Sequence, residues 1–348
     1  MAIMINDELP RHRTLYADPD WLDDPIASEL PDVDTENQPD FSSGIEAIGA
    51  ASDLARFALT TLSQGNTESG RLCLFDVATG TWHWRELEQR RRFIGGGHEI
   101  AFSPDGSLVA VATSTDLKAV VWRTEDMTMA WSAGAAAAWG EDRLFTHISF
   151  SGDGRLVVAV SANPWEPEPE RVPCERVVVA DAGTGEIVFA ENLPIHGSAG
   201  LDHSGKSLAR LAADNQVVIH GLPSGEVLTR HRSGVPNARL LDYAPDGDAV
   251  AVAGDGAVEV IQPLAGSSYS FPIGGTCQAM NWSRNGLRVL ATDDGHATVL
   301  DDDGRILWTR EMEDAHFLLG AFTRDGRALV TLDPDTYEIV AWFLTPPQ

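Results

Sequence analysis

A chain of 348 residues, 43% of them apolar, can bury a large core, and 32 glycines with 19 prolines point to many turns rather than long helices. Its 52 acidic residues against 25 basic ones give a net charge of −27, which argues against nucleic acid or an anionic membrane surface as partner. No apolar run reaches the ~18 residues of a membrane helix. The opening MAIMINDELP lacks the basic start and apolar stretch of a signal peptide, and Cys73, Cys174 and Cys277 are too few and too scattered for a disulfide framework, so a cytoplasmic protein is expected.

The first candidate strand is RHRTLYAD, Arg11 to Asp18, which has apolar alternation. Residues 19–43 form an acidic, proline-rich connection. From Asp18 to Asp40 there are nine carboxylates and no Lys or Arg, and four prolines (Pro19, Pro25, Pro31 and Pro39) forbid a regular helix. Its composition is that of a solvated linker. Trp21, Leu22, Ile26 and Leu30 nevertheless recur at near-helical spacing and would gain from docking.

From residue 44 a pattern repeats about every 40 residues, the signature of a repeat architecture. AFSPDGSLVAVAT begins at Ala101, SFSGDGRLVVAVS at Ser149, LDHSGKSLARLAA at Leu201, DYAPDGDAVAVAG at Asp242, NWSRNGLRVLATD at Asn281 and AFTRDGRALVTLD at Ala321. Each runs from an aromatic or Leu through a polar turn ending in Gly106, Gly154, Gly205, Gly247, Gly286 or Gly326, then into an apolar strand. Such Asp-Gly and Asn-Gly turns are strong hairpin signals, because glycine accepts the positive φ of a tight turn. A degenerate seventh copy, GAASDLARFALTT from Gly49, has Leu54 in place of the glycine. A second strand (RLCLFDV, AVVWRTE, RVVVADA), a turn such as Thr79-Gly80 or Thr184-Gly185, and a third strand (TWHWREL, EIVFAEN) follow. With the strand ahead of the first turn, that makes four short strands per repeat.

These repeats resemble the WD-repeat β-propeller family across about residues 44–344. The matching pieces are Gly97-His98 ahead of a first strand, the SPDG turns, and Trp122-Arg123 where the family has Trp-Asp; Phe75-Asp76, Ala180-Asp181 and Leu300-Asp301 keep the Asp. Only one copy has the Gly-His pair, so the family's His–Asp network is expected to be missing from most blades. The resemblance implies an all-β propeller of seven four-stranded antiparallel blades over residues 44–348. The chain ends on a third strand, TYEIVAWFL, which would leave a sheet edge unpaired. Family members close the ring with an N-terminal strand, and Thr14, Leu15 and Tyr16, within residues 1–18, are expected to supply it.

Motifs for chemistry are sparse. There is no G-x-S-x-G, and His98-Glu99 lacks a second His four residues on. Asp301-Asp302-Asp303-Gly304 lacks the spaced ligands of a calcium loop and reads as a solvated turn. His98, His147, His196 and His316 all fall where the chain enters an inner strand, which in a propeller surrounds one mouth of the central channel. Their depths are staggered, so no metal is expected, and no cofactor either.

Propeller topology puts the SPDG and Thr-Gly turns on one face and all the long insertions, 63–70, 88–97, 133–145 and 161–175, on the other, in the first three blades. Long loops on a rigid scaffold usually carry function. They hold Trp139 and Trp165, and the basic cluster Arg90, Arg91 and Arg92 with Arg85 nearby. Trp21 and the acidic connection would pack over this face, meet these arginines and favour a basic partner. The expected function is a non-catalytic scaffold that binds another protein, with no nucleic acid or membrane involved. Two alternatives stand beside it: a lyase- or cyclase-type enzyme at the channel mouth using the four histidines, and a sensor of cationic peptides or small ligands.

Overall fold

The computed structural model describes residues 12–16, 45–61, 70–87, 99–113, 118–133, 144–162, 175–193, 198–212, 214–244, 246–263, 265–283, 286–293, 296–311, 319–323, 325–332 and 338–344. Every regular element among them is a strand, and no helix long and apolar enough to cross a membrane is present among them. Strand β1 (His12–Tyr16) precedes a first sheet of β2 (Ile45–Ala50), β3 (Arg56–Thr61), β4 (Arg71–Asp76) and β5 (Thr81–Glu86). The second sheet holds β6 (Glu99–Phe102), β7 (Leu108–Thr113), β8 (Lys118–Arg123) and β9 (Met129–Ala133). The third holds β10 (Leu144–Phe150), β11 (Leu156–Ala162), β12 (Glu175–Asp181) and β13 (Ile187–Leu193). The fourth holds β14 (Ala199–Leu201), β15 (Ser207–Leu211), β16 (Gln216–Gly221) and β17 (Val227–Arg232).

A sheet of seven strands comes next. It begins with β18 (Leu240–Tyr243), β19 (Val250–Ala253), β20 (Asp255–Gln262) and β21 (Ser267–Ser283), and continues with β22 (Gly286–Asp293), β23 (His296–Leu300) and β24 (Ile306–Glu311). In the last sheet β25 (Leu319–Phe322), β26 (Ala328–Leu332) and β27 (Ile339–Phe343) take β1 as their fourth strand. All neighbouring strands run antiparallel. The register Arg13↔Ala341 and Thr14↔Val340 fixes β1 on β27, where the sequence places Thr14 to Tyr16.

The seven-stranded sheet departs from the expected four-stranded units because β21 serves two of them. Its first half pairs with β20 and its last part with β22, so an outer strand runs into the next inner strand without a loop. Gly274 and Gly275 lie where the partner changes. Gly275 has φ +66 and approaches the Thr292 carbonyl so closely that a Cβ would collide with it.

The turn chemistry is local and repetitive. Gly106, Gly154, Gly205, Gly247, Gly286 and Gly326 all have positive φ, between +66 and +94, and Leu54 takes φ +56 at the same place in the degenerate copy. Ser103, Ser151 and Thr323 each donate a hydroxyl to the Asp two residues on, at 2.6, 2.7 and 2.7 Å. These carboxylates also accept the backbone N–H of Ser107, Arg155 and Arg327. In the other tight turns Asp76 and Asp181 cap the backbone at residues 78–79 and 183–184.

The second and third strands of each repeat are apolar on both faces because each sheet is covered from both sides; Ala58, Leu59, Val109, Val111, Val157 and Val158 have no exposed surface. Most core clusters join two neighbouring sheets, and one lies between the two halves of the seven-stranded sheet. One packs Ala58 and Leu74 with Val109 and Trp122, and another packs Val158 and Val177 with Ala199 and Leu208. A third brings Phe57, Phe75 and Trp82 of the first sheet onto Val330, Ile339 and Ala341 of the last, with Leu15 among them. The inner strands follow the same order, with β2 beside β6, β6 beside β10, β10 beside β14, β14 beside β18, β18 beside β21, β21 beside β25 and β25 beside β2.

Candidate functional site: the central channel

Residues of β2, β6, β10, β18, β21 and β25, with Ser198 just ahead of β14, line a cavity of about 380 Å³. An inner strand exposes one backbone edge to it, and unpaired backbone groups there need partners. Side chains on or just ahead of the preceding inner strand supply several of them. Glu99 Oε2 accepts the Ile148 N–H at 3.0 Å, Asp242 Oδ2 accepts the Trp282 N–H at 2.7 Å, and the Ser198 hydroxyl donates to the Leu241 carbonyl at 3.4 Å. The channel wall is therefore stitched from sheet to sheet by polar side chains that also give it charge.

Three inner strands carry a β-bulge at the same place. The pairing shifts between Ile45 and Ala47, between Phe145 and His147, and between Cys277 and Ala279. Each bulge inserts one extra residue (Glu46, Thr146 or Gln278) where the strand enters the channel, and a bulge re-aims the side chains around it. Of the three, Glu46 and Gln278 line the cavity.

Among the four histidines expected at the mouth, His147 is described and lines the cavity, whereas His98, His196 and His316 lie outside the described residues. The His147 ring donates Nδ1–H to Glu99 Oε2 at 2.9 Å. Its Nε2 has no partner at hydrogen-bonding geometry, although the Ala199 carbonyl is close enough to favour the protonated ring. Burial opposes charge on His147, but Glu99, the Ala199 carbonyl and Asp242 together outweigh it and raise its pKa above the usual 6.5. One imidazole thus ties the third sheet to the second through Glu99.

Trp21, Arg90, Arg91, Arg92, Trp139 and Trp165, expected to bind a partner, lie outside the described residues. Arg85 is described, whereas the acidic connection expected to meet it lies outside the described residues. Arg85 donates from Nε to the Met127 carbonyl at 3.2 Å and from Nη2 to the Asp126 carbonyl at 3.4 Å, closing the turn between β8 and β9. Asp301, Asp302 and Asp303 gather their carboxylates. Asp301 Oδ1 accepts the backbone N–H of Asp303 and Arg305, as a capped turn requires. Trp122 is buried, while Trp282 and Trp342 are half-buried rather than full core residues.

Sequence reasoning missed Glu46, Asp242 and Asn281 as channel residues and considered Glu99 only as a zinc-motif residue. The signal was available in part: Glu99 and His147 each stand three residues before the inner-strand aromatics Phe102 and Phe150. No protein-family model matches the chain, and no curated protein matches it either.

Proposed function

We propose that the chain is a seven-bladed propeller of the WD-repeat type, its ring closed by β1, that works in the cytoplasm as a non-catalytic scaffold for another protein. Support for seven blades comes from the cyclic order of the inner strands, with β21 counted in two blades, and from Leu15 and Ile339 packing with Phe57. Support for the family comes from the SPDG-type turns and the Asp-capped turns that follow them.

The observation that carries the scaffold reading is the asymmetry of the two faces. Short capped turns close one face. The connections spanning 62–69, 88–98, 134–143 and 163–174 all join strand ends on the other face, in the first three sheets. A rigid sandwich of packed sheets that gathers its long connections on one side is the arrangement of a recognition surface. Trp139 and Trp165 are the proposed anchors, with Arg90 to Arg92 and Trp21 beside them, and the strongly acidic chain favours a basic partner.

Affinity capture from the native host tests this. A stoichiometric partner should be lost on Trp139→Ala or Trp165→Ala and kept on Lys206→Ala, which alters a turn of the opposite face. Equal retention by all three variants would refute the reading. The Glu99–His147 pair in the cavity favours a second reading, in which His147 acts as a general acid at the channel mouth.

A further inference from the structure

A sheet edge offers unpaired backbone groups to any other strand, and natural sheets blunt their edges with bulges or charged side chains. Most outer strands here do so. The ladder shifts near the start of β9, β13, β17 and β24 and within β1. Strand β5 pairs without a shift but carries Arg85 and Glu86. The first part of β21, residues 267–273, has neither device. It pairs with β20 without a shift from Gln262↔Ser267 to Ala257↔Pro272, and its sequence SSYSFPI holds no charged residue. Among the described residues, no strand pairs with its other edge.

The backbone and side chains of this edge select what it takes. Pro272 has no N–H to give β20, so its position is one whose peptide groups face outward. By the two-residue alternation of a strand, the N–H and C=O groups of Ser268 and Ser270 face outward as well. Phe271 is buried against the Gly304 turn of the neighbouring repeat. Tyr269, two residues earlier and on the same face, is 47% exposed. Burial and, after it, the charges of Asp302 and Asp303 raise its phenol pKa above the usual 10, so it stands beside that acidic turn. Asp301, Asp302 and Asp303 outnumber the cations that face them, Arg288 and Arg305.

We propose that residues 267–273 take up a basic, extended segment of another protein as an added strand. Its backbone pairs with Ser268 and Ser270, and a Lys or Arg side chain lies over the Tyr269 ring beside Asp302 and Asp303. A second copy of this chain is the poorer occupant, because each copy carries a net charge of −27. The edge belongs to the seven-stranded sheet and not to the long connections of the first three sheets, so the proposal stands or falls separately from the scaffold reading.

Calorimetric titration of the full chain with the peptide Ac-Val-Thr-Lys-Thr-Val-amide tests the proposal. It should bind about tenfold more tightly than the same peptide with glutamate for lysine, which meets Asp302 with like charge. It should also bind about tenfold more tightly than the peptide N-methylated at both threonines, which cannot donate to the edge. Hydrogen exchange read by NMR should slow at the Ser268 and Ser270 amides when the peptide is added. Ser270→Pro removes one outward N–H and keeps the β20 ladder, as Pro272 does, so it should melt as the parent does and weaken the peptide about tenfold. Asp302→Asn should weaken it about threefold. If Ser270→Pro fails to fold, Asp302→Asn and the two altered peptides decide. No binding at millimolar peptide, equal binding of an altered peptide, or affinity indifferent to a folded variant would overturn the proposal. A dimer in sedimentation that Ser270→Pro dissolves would overturn it too, by giving the edge to a second copy.

Discussion

Leu15 is the residue on which the attachment of β1 turns. The ladder to β27 shifts between Thr14 and Tyr16, so Leu15 stands at a bulge, and its side chain is only 2% exposed. It packs with Phe57, Phe75 and Trp82 of the first sheet and with Ile339 and Val330 of the last, so it fastens two sheets far apart in sequence. Leu15→Ala removes this contact and leaves a cavity; the usual cost of such a change is ~2–5 kcal/mol. At roughly 2 °C per kcal/mol for a chain of this size, the melting temperature should fall by roughly 4–10 °C. Trp82 lies 5.6 Å from the Phe57 ring, in the same cluster, so tryptophan fluorescence during urea unfolding reports on the region directly. Deleting residues 1–18 should cost more still, because it also bares the edge of β27. Met129→Ala is the control: its side chain is 51% exposed on β9, and the change should stay within ~0.5 kcal/mol. If Leu15→Ala and the deletion both unfold within that margin of the parent, β1 is no part of the cooperative fold and the reasoning fails.

Two histidines with opposite pKa shifts should give opposite pH limbs. The pKa of His147 is raised, so its contribution is complete below the unfolded value of 6.5 and is lost as pH rises through the folded value; His147→Gln should flatten the stability decline above pH 6.5 seen in urea titrations. For His220, burial is the main cause of a lowered pKa, and its neutral Nε2 accepts a hydrogen bond from Arg210 at 3.1 Å. Its contribution is present above 6.5 and lost as pH falls through the folded value, so His220→Gln should change the acid limb and leave the alkaline limb alone. Gly275→Ala should destabilise by more than ~2 kcal/mol, since both the positive φ and the Thr292 carbonyl exclude a methyl group, whereas Gly234→Ala, with open space around it, should stay within ~0.5 kcal/mol; equal melting curves for the two would contradict the close approach. Burial pushes the thiols of Cys73 and Cys277 up to about 12, so neither should react with an aromatic disulfide reagent at pH 8 until urea unfolds the chain, as thiol mapping by mass spectrometry would show.

The sheets were legible because their signals are local. A polar turn ending in glycine between two apolar strands names a hairpin wherever it occurs, and six copies at similar spacing name a repeat. Leu54 shows how far such a signal reaches. Nothing about a leucine suggests φ +56, yet alignment with six glycines puts it there, and packing against the cluster that holds Leu15 and Ile339 holds it in place. Met127 is the counterexample. It has φ +53, at the turn position that Gly80, Gly185 and Gly225 occupy elsewhere, and it is 1% exposed. The sequence offers no glycine to mark that turn. What holds it is non-local: the Arg85 guanidinium on the Met127 and Asp126 carbonyls, and burial of the Met127 side chain between two sheets.

The channel was harder to read for a related physical reason. Counting residues back from each inner-strand aromatic assumes one register along every strand, and that assumption ranks the four histidines at four different depths. The bulges at Glu46, Thr146 and Gln278 limit that assumption on β2, β10 and β21, while β6, β14 and β25 pair without a shift. A count that crosses the bulge misjudges depth, while one that stops short of it does not. Glu99 stands on an unbulged strand and His147 on the near side of its bulge, and there the count places them at one level, 2.9 Å apart. Bulges leave no mark in composition or periodicity, since the inserted residues are as different as Glu, Thr and Gln. What they share is position, where the strand begins its ladder, and two of them, Glu46 and Gln278, line the cavity.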